Sequence, residues 1–298
     1  MPELPEVQTI VNELARKIKG KKIKAVEVDA ARSAQPSPNV LRTKLKGKTI
    51  KAVKRRGKMI DIDLGGNDNI LIHLKMTGQL VFVAKGGQKV SGGPARNASR
   101  SDSGRHPIGN VGVLPNKFSH VIIHFTDGST LYFNDIRKFG WVKYADNLER
   151  ELARQKFGVE PFDKQYTLEN LRAIIRRSPK KKIKQLLMDQ QKIAGIGNIY
   201  ADESLFAARL RPTRPAGRLK DKEIAELFRV IPKILKFAIG KGGTSADNYV
   251  RTDGSQGGMM PYLKVYGREG EKCRRCGGII KKIRMGGRGT HFCPACQK

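Results

Sequence analysis

The four cysteines of this chain all lie near its C-terminal end, in the pairs Cys273–Cys276 and Cys293–Cys296. Each pair has the Cys-x-x-Cys spacing with which two thiolates bind one tetrahedral metal ion. In a reducing compartment such pairs indicate one Zn²⁺ rather than disulfides. His291 is an alternative ligand that four cysteines leave unneeded. A zinc ribbon too small to form its own core therefore predicts a structural role for the metal.

The charge of the chain points to a polyanionic partner. Its 298 residues include 59 Lys+Arg against 27 Asp+Glu, a net charge of +32. Basic side chains release counterions from a phosphate backbone, so nucleic acid is the predicted partner. The basic residues are spread along the chain and no apolar run approaches ~20 residues, which disfavours a membrane. With no secretory signal, we expect a cytoplasmic, nucleoid-associated protein. A basic surface without a specific partner stays the alternative.

The first six residues, MPELPE, carry two carboxylates and a potential secondary amine. If Met1 is removed, Pro2 can attack an aldehyde-level carbon and form an iminium. Glu3 can then act as a general acid or base at the same carbon. The alternative is that the segment only opens a helix, because proline suits the first turn and apolar residues follow at helical spacing up to Gly20. Both hold together, since a positive helix end favours the uncharged amine that attacks.

The first half of the chain alternates in hydrophobicity as β-strands do. A hairpin is predicted at Thr126–Ser129. This pattern predicts a mostly antiparallel β-sandwich with an N-terminal helix. Residues 85–117 are rich in Gly, Ser and Arg and are interpreted as a flexible basic insertion, either tolerated or an added contact to the polyanion. The predicted strands are 24–30, 49–53, 59–64, 70–76, 80–84, 121–125 and 131–134.

The second half favours helices after a linker at 157–161. Thr167 is expected to cap a helix over 168–177. A glycine turn at 193–198 precedes a helix, and such a turn exposes backbone N–H groups to a phosphate. Further predicted elements are helices at 180–188, 199–208 and 220–239, a glycine-rich connector at 241–262, and a hairpin tip at 286–289 that presents Arg288.

Several short blocks in this order resemble the formamidopyrimidine-DNA glycosylase family. They are MPELPEV, KRRGKMIDI, IHLKMTG, NDIRKFG, GIGNIYADESLFAA and the four-cysteine ribbon. The resemblance covers nearly the whole chain except 85–117. It implies an α+β protein with a β-sandwich domain at 1–155, a helix-two-turn-helix domain at 156–265 and a zinc ribbon at 266–298.

The resemblance also implies an activity and a set of catalytic residues. The protein would be a bifunctional DNA glycosylase and abasic-site lyase of base excision repair. It would excise oxidised purines, chiefly 8-oxoguanine and formamidopyrimidines, and act as a monomer on double-stranded DNA with oxidised bases or abasic sites. Pro2 would be the nucleophile, Glu3 would assist sugar-ring opening, and Lys58 would hold a phosphate and assist elimination.

By the same resemblance, further residues bind DNA. Asn198 and Arg288 contact phosphates, and residues 241–262 close over the extruded base, with 244–249 near it. Arg137 pairs with the orphaned base and Phe139 wedges between its neighbours. Without the resemblance, Met76 and Phe139 would be interpreted as core residues rather than as residues that enter the DNA stack. The complete set of predicted DNA contacts is His73, Met76, Arg137, Phe139, Asn198 and Arg288.

Two alternatives remain open. An endonuclease-VIII-like glycosylase for oxidised pyrimidines shares the Pro-Glu start, the glycine turn and the ribbon, but Leu4 and the stretch 137–140 favour the purine enzyme. A non-catalytic zinc-ribbon nucleic-acid binder fits the charge and the cysteines equally well. It has no need of Pro2, Glu3 or Lys58.

Overall fold

The computed structural model describes residues 1–87 and 112–298, and the chain forms two compact units. The first unit contains Met1–Arg154 and Lys241–Met260, and the second contains Gln155–Gly240 and Pro261–Lys298. The predicted three-domain division, with boundaries after residues 155 and 265, stays a prediction. No helix within the described ranges is long and apolar enough to cross a membrane.

The first unit begins with helix α1, Leu4–Ile18. Proline in its first turn pre-sets the helical φ angle, and Glu3 occupies the N-cap position. One face of the helix is apolar and fully buried, which anchors it in the core. The residues of this face are Val7, Ile10, Val11, Leu14 and Ile18.

The first sheet of this unit has four antiparallel strands in the spatial order β1-β7-β8-β6. They are β1 Ile23–Val28, β6 Gly78–Val83, β7 Ser119–Phe125 and β8 Thr130–Asp135. The β7–β8 turn lies at the predicted hairpin, where the Phe125 and Ser129 backbones are hydrogen-bonded at 2.9 Å.

The second sheet has five strands in the order β2-β9-β5-β4-β3. All neighbours are antiparallel except the two-residue β2, which runs parallel to β9. The strands are β2 Ala34–Gln35, β3 Ala52–Arg56, β4 Met59–Asp63, β5 Asn69–His73 and β9 Trp141–Ala145. Apolar side chains of both sheets and of α1 form one buried cluster, which confirms the predicted sandwich with its N-terminal helix.

Two more helices complete this part of the chain: α2, Pro38–Leu45, and α3, Asn147–Gln155. α3 buries none of its residues. It is held by Asp61, a fully buried carboxylate of β4 that accepts hydrogen bonds from Arg150 and Arg154, each at 2.9 Å. Ion pairing rather than apolar burial therefore fixes this helix.

The second unit is helical and ends in a ribbon, as predicted. Thr167 caps α4 through a hydrogen bond from the Asn170 amide. Its helices are α4 Leu168–Arg176, α5 Ile183–Leu187, α6 Asn198–Ala207 and α7 Asp221–Gly240, and its hairpin strands are β10 Lys281–Met285 and β11 Arg288–Phe292. The α+β fold class is thus confirmed.

Several local predictions were wrong. The strand predicted at 49–53 begins only at Ala52, and the one predicted at 70–76 ends at His73 because Lys75 has a φ of +50°. The helices α2 and α3 and strand β9 were not predicted. Of the segment 85–117, residues 88–111 lie outside the described residues; beyond them Leu114 is 1 % exposed, so the end of the segment belongs to the core.

Candidate active site and zinc ribbon

Pro2 and Glu3 lie at the N-terminus of α1. The Glu3 carboxylate accepts a hydrogen bond from the Glu6 amide, and the Glu6 carboxylate accepts one from the Glu3 amide at 2.8 Å. This reciprocal capping box fixes the path of the chain into the helix. Pro2 is buried and Glu3 is only 2 % exposed. The predicted nucleophile and acid are therefore adjacent, at the positive end of a 15-residue helix.

Lys58 lies in the turn between β3 and β4. Gly57, with a φ of +58°, allows the two-residue turn. Arg55 donates one hydrogen bond to the Gly57 carbonyl and another to the Gln8 side chain of α1, both at 2.9 Å. The turn is thereby tied to the first half of the helix that begins beside Glu3. Lys58 itself is 3 % exposed.

His73 ends β5 and is held as a neutral imidazole. Its Nδ1 accepts a hydrogen bond from the Lys75 amide at 3.0 Å, and its ring lies 5.9 Å from that of Trp141. Burial, followed by the nearby charges of Lys75 and Lys58, lowers the pKa of His73 to about 3. The proton of the neutral ring is therefore on Nε2.

A single buried carboxylate joins the turns that carry Met76 and Arg137. Asp135, at the end of β8, is 0 % exposed. It accepts hydrogen bonds from the hydroxyl of Thr77, from the Gly140 amide at 2.6 Å and from the Arg137 amide at 3.2 Å. Because Thr77 follows Met76 directly, Asp135 holds both turns in one arrangement. Asp135 and Thr77 were not predicted, although each lies within a recognised sequence block.

Phe139 is 41 % exposed, so it is not a core residue. The guanidinium of Arg137 lies 4.6 Å from the centre of its ring, and that of Arg32 lies 5.6 Å away. The next residue, Gly140, packs so tightly that an added Cβ would lie 2.8 Å from Phe133 Cζ. The backbone is thus pressed into the sandwich while Arg137 and Phe139 face solvent.

The glycine-rich segment, residues 241–260, belongs to the first unit. Its Thr244 amide donates a hydrogen bond to Glu6 Oε1 at 2.7 Å. Gly243 has a φ of +80°, and an added Cβ would lie 3.0 Å from Glu6. Glu6 thus binds both the Glu3 amide and this segment, a role that was not predicted from the sequence. Tyr249 is 5 % exposed and donates to the Gly242 carbonyl at 2.9 Å.

In the second unit, Asn198 is the first residue of α6. The preceding glycine turn is held by Gln190, which accepts from the Gly195 amide at 2.9 Å and donates to the Ile196 carbonyl at 2.7 Å. The Asn198 Oδ1 atom is buried and has no hydrogen-bond partner within the described ranges. A helix N-terminus that presents amides and a side-chain amide suits an anion. Gln190 was not predicted.

The four cysteines are brought together as one metal site. All their Sγ atoms lie within 4.8 Å of one another, with 3.9 Å between Cys273 and Cys296 and 3.5 Å between Cys276 and Cys293. Four thiolates ~2.3 Å from Zn²⁺ in a tetrahedron would be ~3.8 Å apart, so the cluster fits one zinc ion. With all four positions filled by protein, the zinc is structural.

His291 is no ligand. Its amide donates to Asp202 at 2.9 Å, its Nδ1 is 3.5 Å from the same carboxylate, and its ring packs against Tyr266. The predicted set of four cysteines therefore stands without it.

Arg288 is exposed at the start of β11, directly after the Gly286-Gly287 turn. β11 is held by a buried ion pair between Lys184 of α5 and Asp202 of α6, whose charged atoms are 2.8 Å apart. Lys184 also donates to the Gly289 carbonyl at 3.1 Å and to the Thr290 hydroxyl at 2.9 Å. Two helices thus fix the strand that begins with Arg288.

Known proteins are similar to this chain over its whole length. Residues 1–142 match the formamidopyrimidine-DNA glycosylase N-terminal domain, 157–249 its H2TH domain and 270–298 the zinc finger found in FPG and IleRS. The formamidopyrimidine-DNA glycosylase of Carboxydothermus hydrogenoformans is 40 % identical over 299 residues, covering 100 % of both chains.

Solved structures of related proteins are also similar to this chain over its length. A Lactococcus lactis FPG mutant in complex with Fapy-dG-containing DNA matches with a TM-score of 0.84 and 35 % identity, covering 100 % of both chains. The Lactococcus lactis Fpg in complex with abasic-site DNA matches with a TM-score of 0.83 and 34 % identity, covering 99 % of both chains. The chain therefore belongs to the formamidopyrimidine-DNA glycosylase family.

Proposed function

We propose that this protein is a bifunctional DNA glycosylase and abasic-site lyase of base excision repair. Its substrates are oxidised purines, chiefly 8-oxoguanine and formamidopyrimidines, in double-stranded DNA, and it acts as a monomer. Full-length similarity to a protein named formamidopyrimidine-DNA glycosylase supports the assignment. So do related proteins bound to DNA with a Fapy-dG or an abasic site. The net charge of +32 suits a DNA partner.

The observation that carries the proposal is the start of α1. A buried proline precedes a glutamate that is 2 % exposed and fixed in a capping box. Removal of Met1 makes Pro2 a secondary amine at the positive end of the helix, which favours its uncharged form. A purely structural helix start does not require a potential amine and a buried carboxylate side by side.

In the first chemical step, the lone pair of the Pro2 nitrogen bonds to C1′ of the damaged nucleotide. The glycosidic bond breaks and its electron pair leaves with the base, which takes up a proton. After the amine loses its own proton, the C1′–O4′ bond breaks and the nitrogen lone pair forms an iminium. Glu3 takes up the proton that the amine loses and delivers it to O4′ as the ring opens.

The iminium makes the following eliminations possible because it withdraws electrons from the sugar carbons. Loss of a proton from C2′ expels the 3′ phosphate, and a second elimination expels the 5′ phosphate, which leaves a one-nucleotide gap. Water then hydrolyses the iminium and regenerates Pro2. Lys58 holds a phosphate through these steps; the Arg55 contacts keep its turn against α1.

Attack at C1′ requires that the nucleotide leave the base stack. Extrusion costs a few kcal/mol, and side chains that fill the vacated space offset this cost. Arg137 pairs with the orphaned base, Phe139 wedges between its neighbours and Met76 fills the remaining space, with His73 beside them on the DNA. Two observations support these roles: Asp135 anchors the turns that carry Met76 and Arg137, and the Phe139 side chain is exposed.

In the second unit, Asn198 and Arg288 bind phosphates. Asn198 is the first residue of α6, where its side-chain NH2 group and the backbone amides of the helix N-terminus can donate to a phosphate. Arg288 is exposed on β11, a strand that Lys184 holds through the Thr290 hydroxyl. The structural zinc holds the ribbon that presents Arg288.

A cleavage assay on matched duplexes tests the proposal. The duplexes carry 8-oxoguanine, a formamidopyrimidine, an oxidised pyrimidine, an abasic site or no lesion. We expect excision of the purine lesions and strand cleavage at the abasic site. Glu3→Gln should still bind lesion DNA but lose multiple-turnover base excision by about 100-fold or more, because Pro2 stays bonded to C1′ when the sugar ring cannot open. Glu27→Gln, which removes an exposed charge on β1, serves as the control.

Other outcomes separate the alternatives. A preference for the oxidised pyrimidine would assign the chain to the endonuclease-VIII-like enzymes. Binding of every duplex without any cleavage would leave a non-catalytic DNA-binding protein. Full excision by Glu3→Gln would remove Glu3 from the mechanism.

A further inference from the structure

Beside its apolar face, α1 presents polar side chains to the glycine-rich segment, among them the carboxylate of Glu13. This carboxylate is 4 % exposed. Its Oε1 accepts from Arg251 Nε at 2.6 Å, and its Oε2 accepts from the amide and the hydroxyl of Thr252 at 2.9 and 2.7 Å. The hydrogen bond to Glu13 raises the pKa of Arg251. A buried carboxylate with three donors is a strong anchor.

Thr252 is also fixed from two other directions. Lys17, one helical turn beyond Glu13, donates to its hydroxyl at 2.7 Å, and the Phe82 amide of β6 donates to its carbonyl at 2.8 Å. The neighbouring Val250 is 1 % exposed and packs with Val81. Residues 250–252 of the segment are therefore docked on α1 and β6.

Glu6 and Glu13 together bracket the tip of the segment. They are seven residues apart on α1, a rise of about 10 Å. Their partners, Thr244 and Arg251, are also seven residues apart, and an extended chain of that length would span about 23 Å. The intervening residues must therefore form a closed loop, as the hydrogen bond from the Ser245 hydroxyl to the Tyr249 carbonyl at 2.8 Å confirms.

We propose that Glu13 is a positioning residue for capture of the damaged base. It holds residues 249–252 on α1 before DNA binds, so that the loop at 245–250 is already ordered when a base is extruded. The inference rests on the proposed function and on the closure of this segment over the extruded base that the family resemblance implies. Ordering the loop in advance removes an entropy cost from the capture step. A buried acid that served stability alone would not distinguish substrates with and without a base.

Two variants test this role. Glu13→Gln keeps the shape of the side chain but removes its charge, and Glu27→Gln, on an exposed glutamate paired with His124, is the matched control. Arg251→Met removes the same ion pair from the side of the segment and leaves α1 intact. The measurements are amide hydrogen exchange of residues 249–252 in the DNA-free protein, excision of 8-oxoguanine from a duplex, and cleavage of the same duplex with an abasic site.

We expect Glu13→Gln and Arg251→Met to accelerate exchange at 249–252 by about tenfold. Lesion excision should fall by about tenfold or more, while abasic-site cleavage stays within about twofold of wild type. Glu27→Gln should change none of these. Unchanged exchange, or equal losses on both substrates, would overturn the inference. A wild-type protein that cleaves neither duplex would instead refute the proposed function, and the exchange data would still decide whether Glu13 orders the segment.

Discussion

The buried carboxylate of Asp135 accepts a hydrogen bond from the amide of Gly140 at 2.6 Å. The same carboxylate binds the Thr77 hydroxyl, so the two turns predicted to enter the DNA stack share one support. Hydrogen bonds to a buried charge are stronger than neutral ones, and their loss leaves unsatisfied donors. The arrangement of Met76, Arg137 and Phe139 is therefore set by two buried residues, Asp135 and Thr77.

Gly140→Ala tests how tightly this support is packed. The new Cβ would lie 2.8 Å from Phe133 Cζ and 3.0 Å from the His73 carbonyl oxygen. Overpacking of this kind should lower the free energy of unfolding by about 1–3 kcal/mol. Urea denaturation measures this loss, with Gly240→Ala as the control because, beyond the backbone of its own helix, no heavy atom of the described residues lies within 4 Å of the added Cβ. Equal stabilities of the two variants would contradict the packing described here.

Phe139→Ala and Met76→Ala test the predicted wedge. Phe139 is 41 % exposed, so its truncation leaves no core cavity and the variant should melt like wild type. Both variants should lose excision on duplex lesions far more than cleavage at abasic sites, which are extruded more easily. Melting curves and paired rate measurements decide this. Equal losses on both substrates, or destabilisation by ~2–5 kcal/mol as for a core cavity, would refute the wedge.

His73 should make stability depend on pH. Its folded pKa of about 3 lies below the ordinary value of 6.5, so the unfolded chain binds the extra proton between these values. The contribution of the neutral His73 ring to the free energy of unfolding is fully present above pH 6.5 and is lost as the pH falls towards 3. Between pH 7 and 5 the free energy of unfolding should fall by about 1–2 kcal/mol more in the wild type than in His73→Gln. Parallel denaturation curves for the two proteins at each pH would contradict the depressed pKa.

Arg288→Ala separates the phosphate contact from the metal site. The variant should keep one zinc per chain, because Arg288 lies outside the four-cysteine cluster. Its DNA affinity should fall, and the slope of log affinity against log salt should decrease by about one. Arg284→Ala, an exposed arginine of the same hairpin, controls for charge alone. Elemental analysis and salt titrations are the measurements; identical losses in both variants would refute a specific role for Arg288.

Local sequence signals predicted the start of α1, the β7–β8 hairpin, the Thr167 cap and the zinc ribbon, because each depends on residues close together in the chain. The helix α3 escaped prediction because it has no buried face; it is fixed by the distant Asp61. Strand β3 was misplaced by three residues, since its register is set by pairing with β4 rather than by its own pattern.

The residues that support the candidate site could not be predicted from the sequence either. Thr77 and Asp135 are 58 positions apart, and Glu6 and Thr244 are 238 apart. Nothing local marks such pairs, because a buried acid in an amphipathic helix has the same sequence pattern as an exposed one. Burial and pairing become visible only once the fold brings them together.

Covalent trapping at the N-terminus tests the central claim most directly. Borohydride reduces an iminium to a stable amine, so the protein incubated with 8-oxoguanine duplex and borohydride should become crosslinked to DNA. Peptide mapping of the adduct should place the crosslink on the Pro2 nitrogen, and Pro2→Gly should trap and cleave more slowly. A crosslink mapped to Lys58, or trapping and cleavage by Pro2→Gly at the original rate, would contradict Pro2 as the nucleophile.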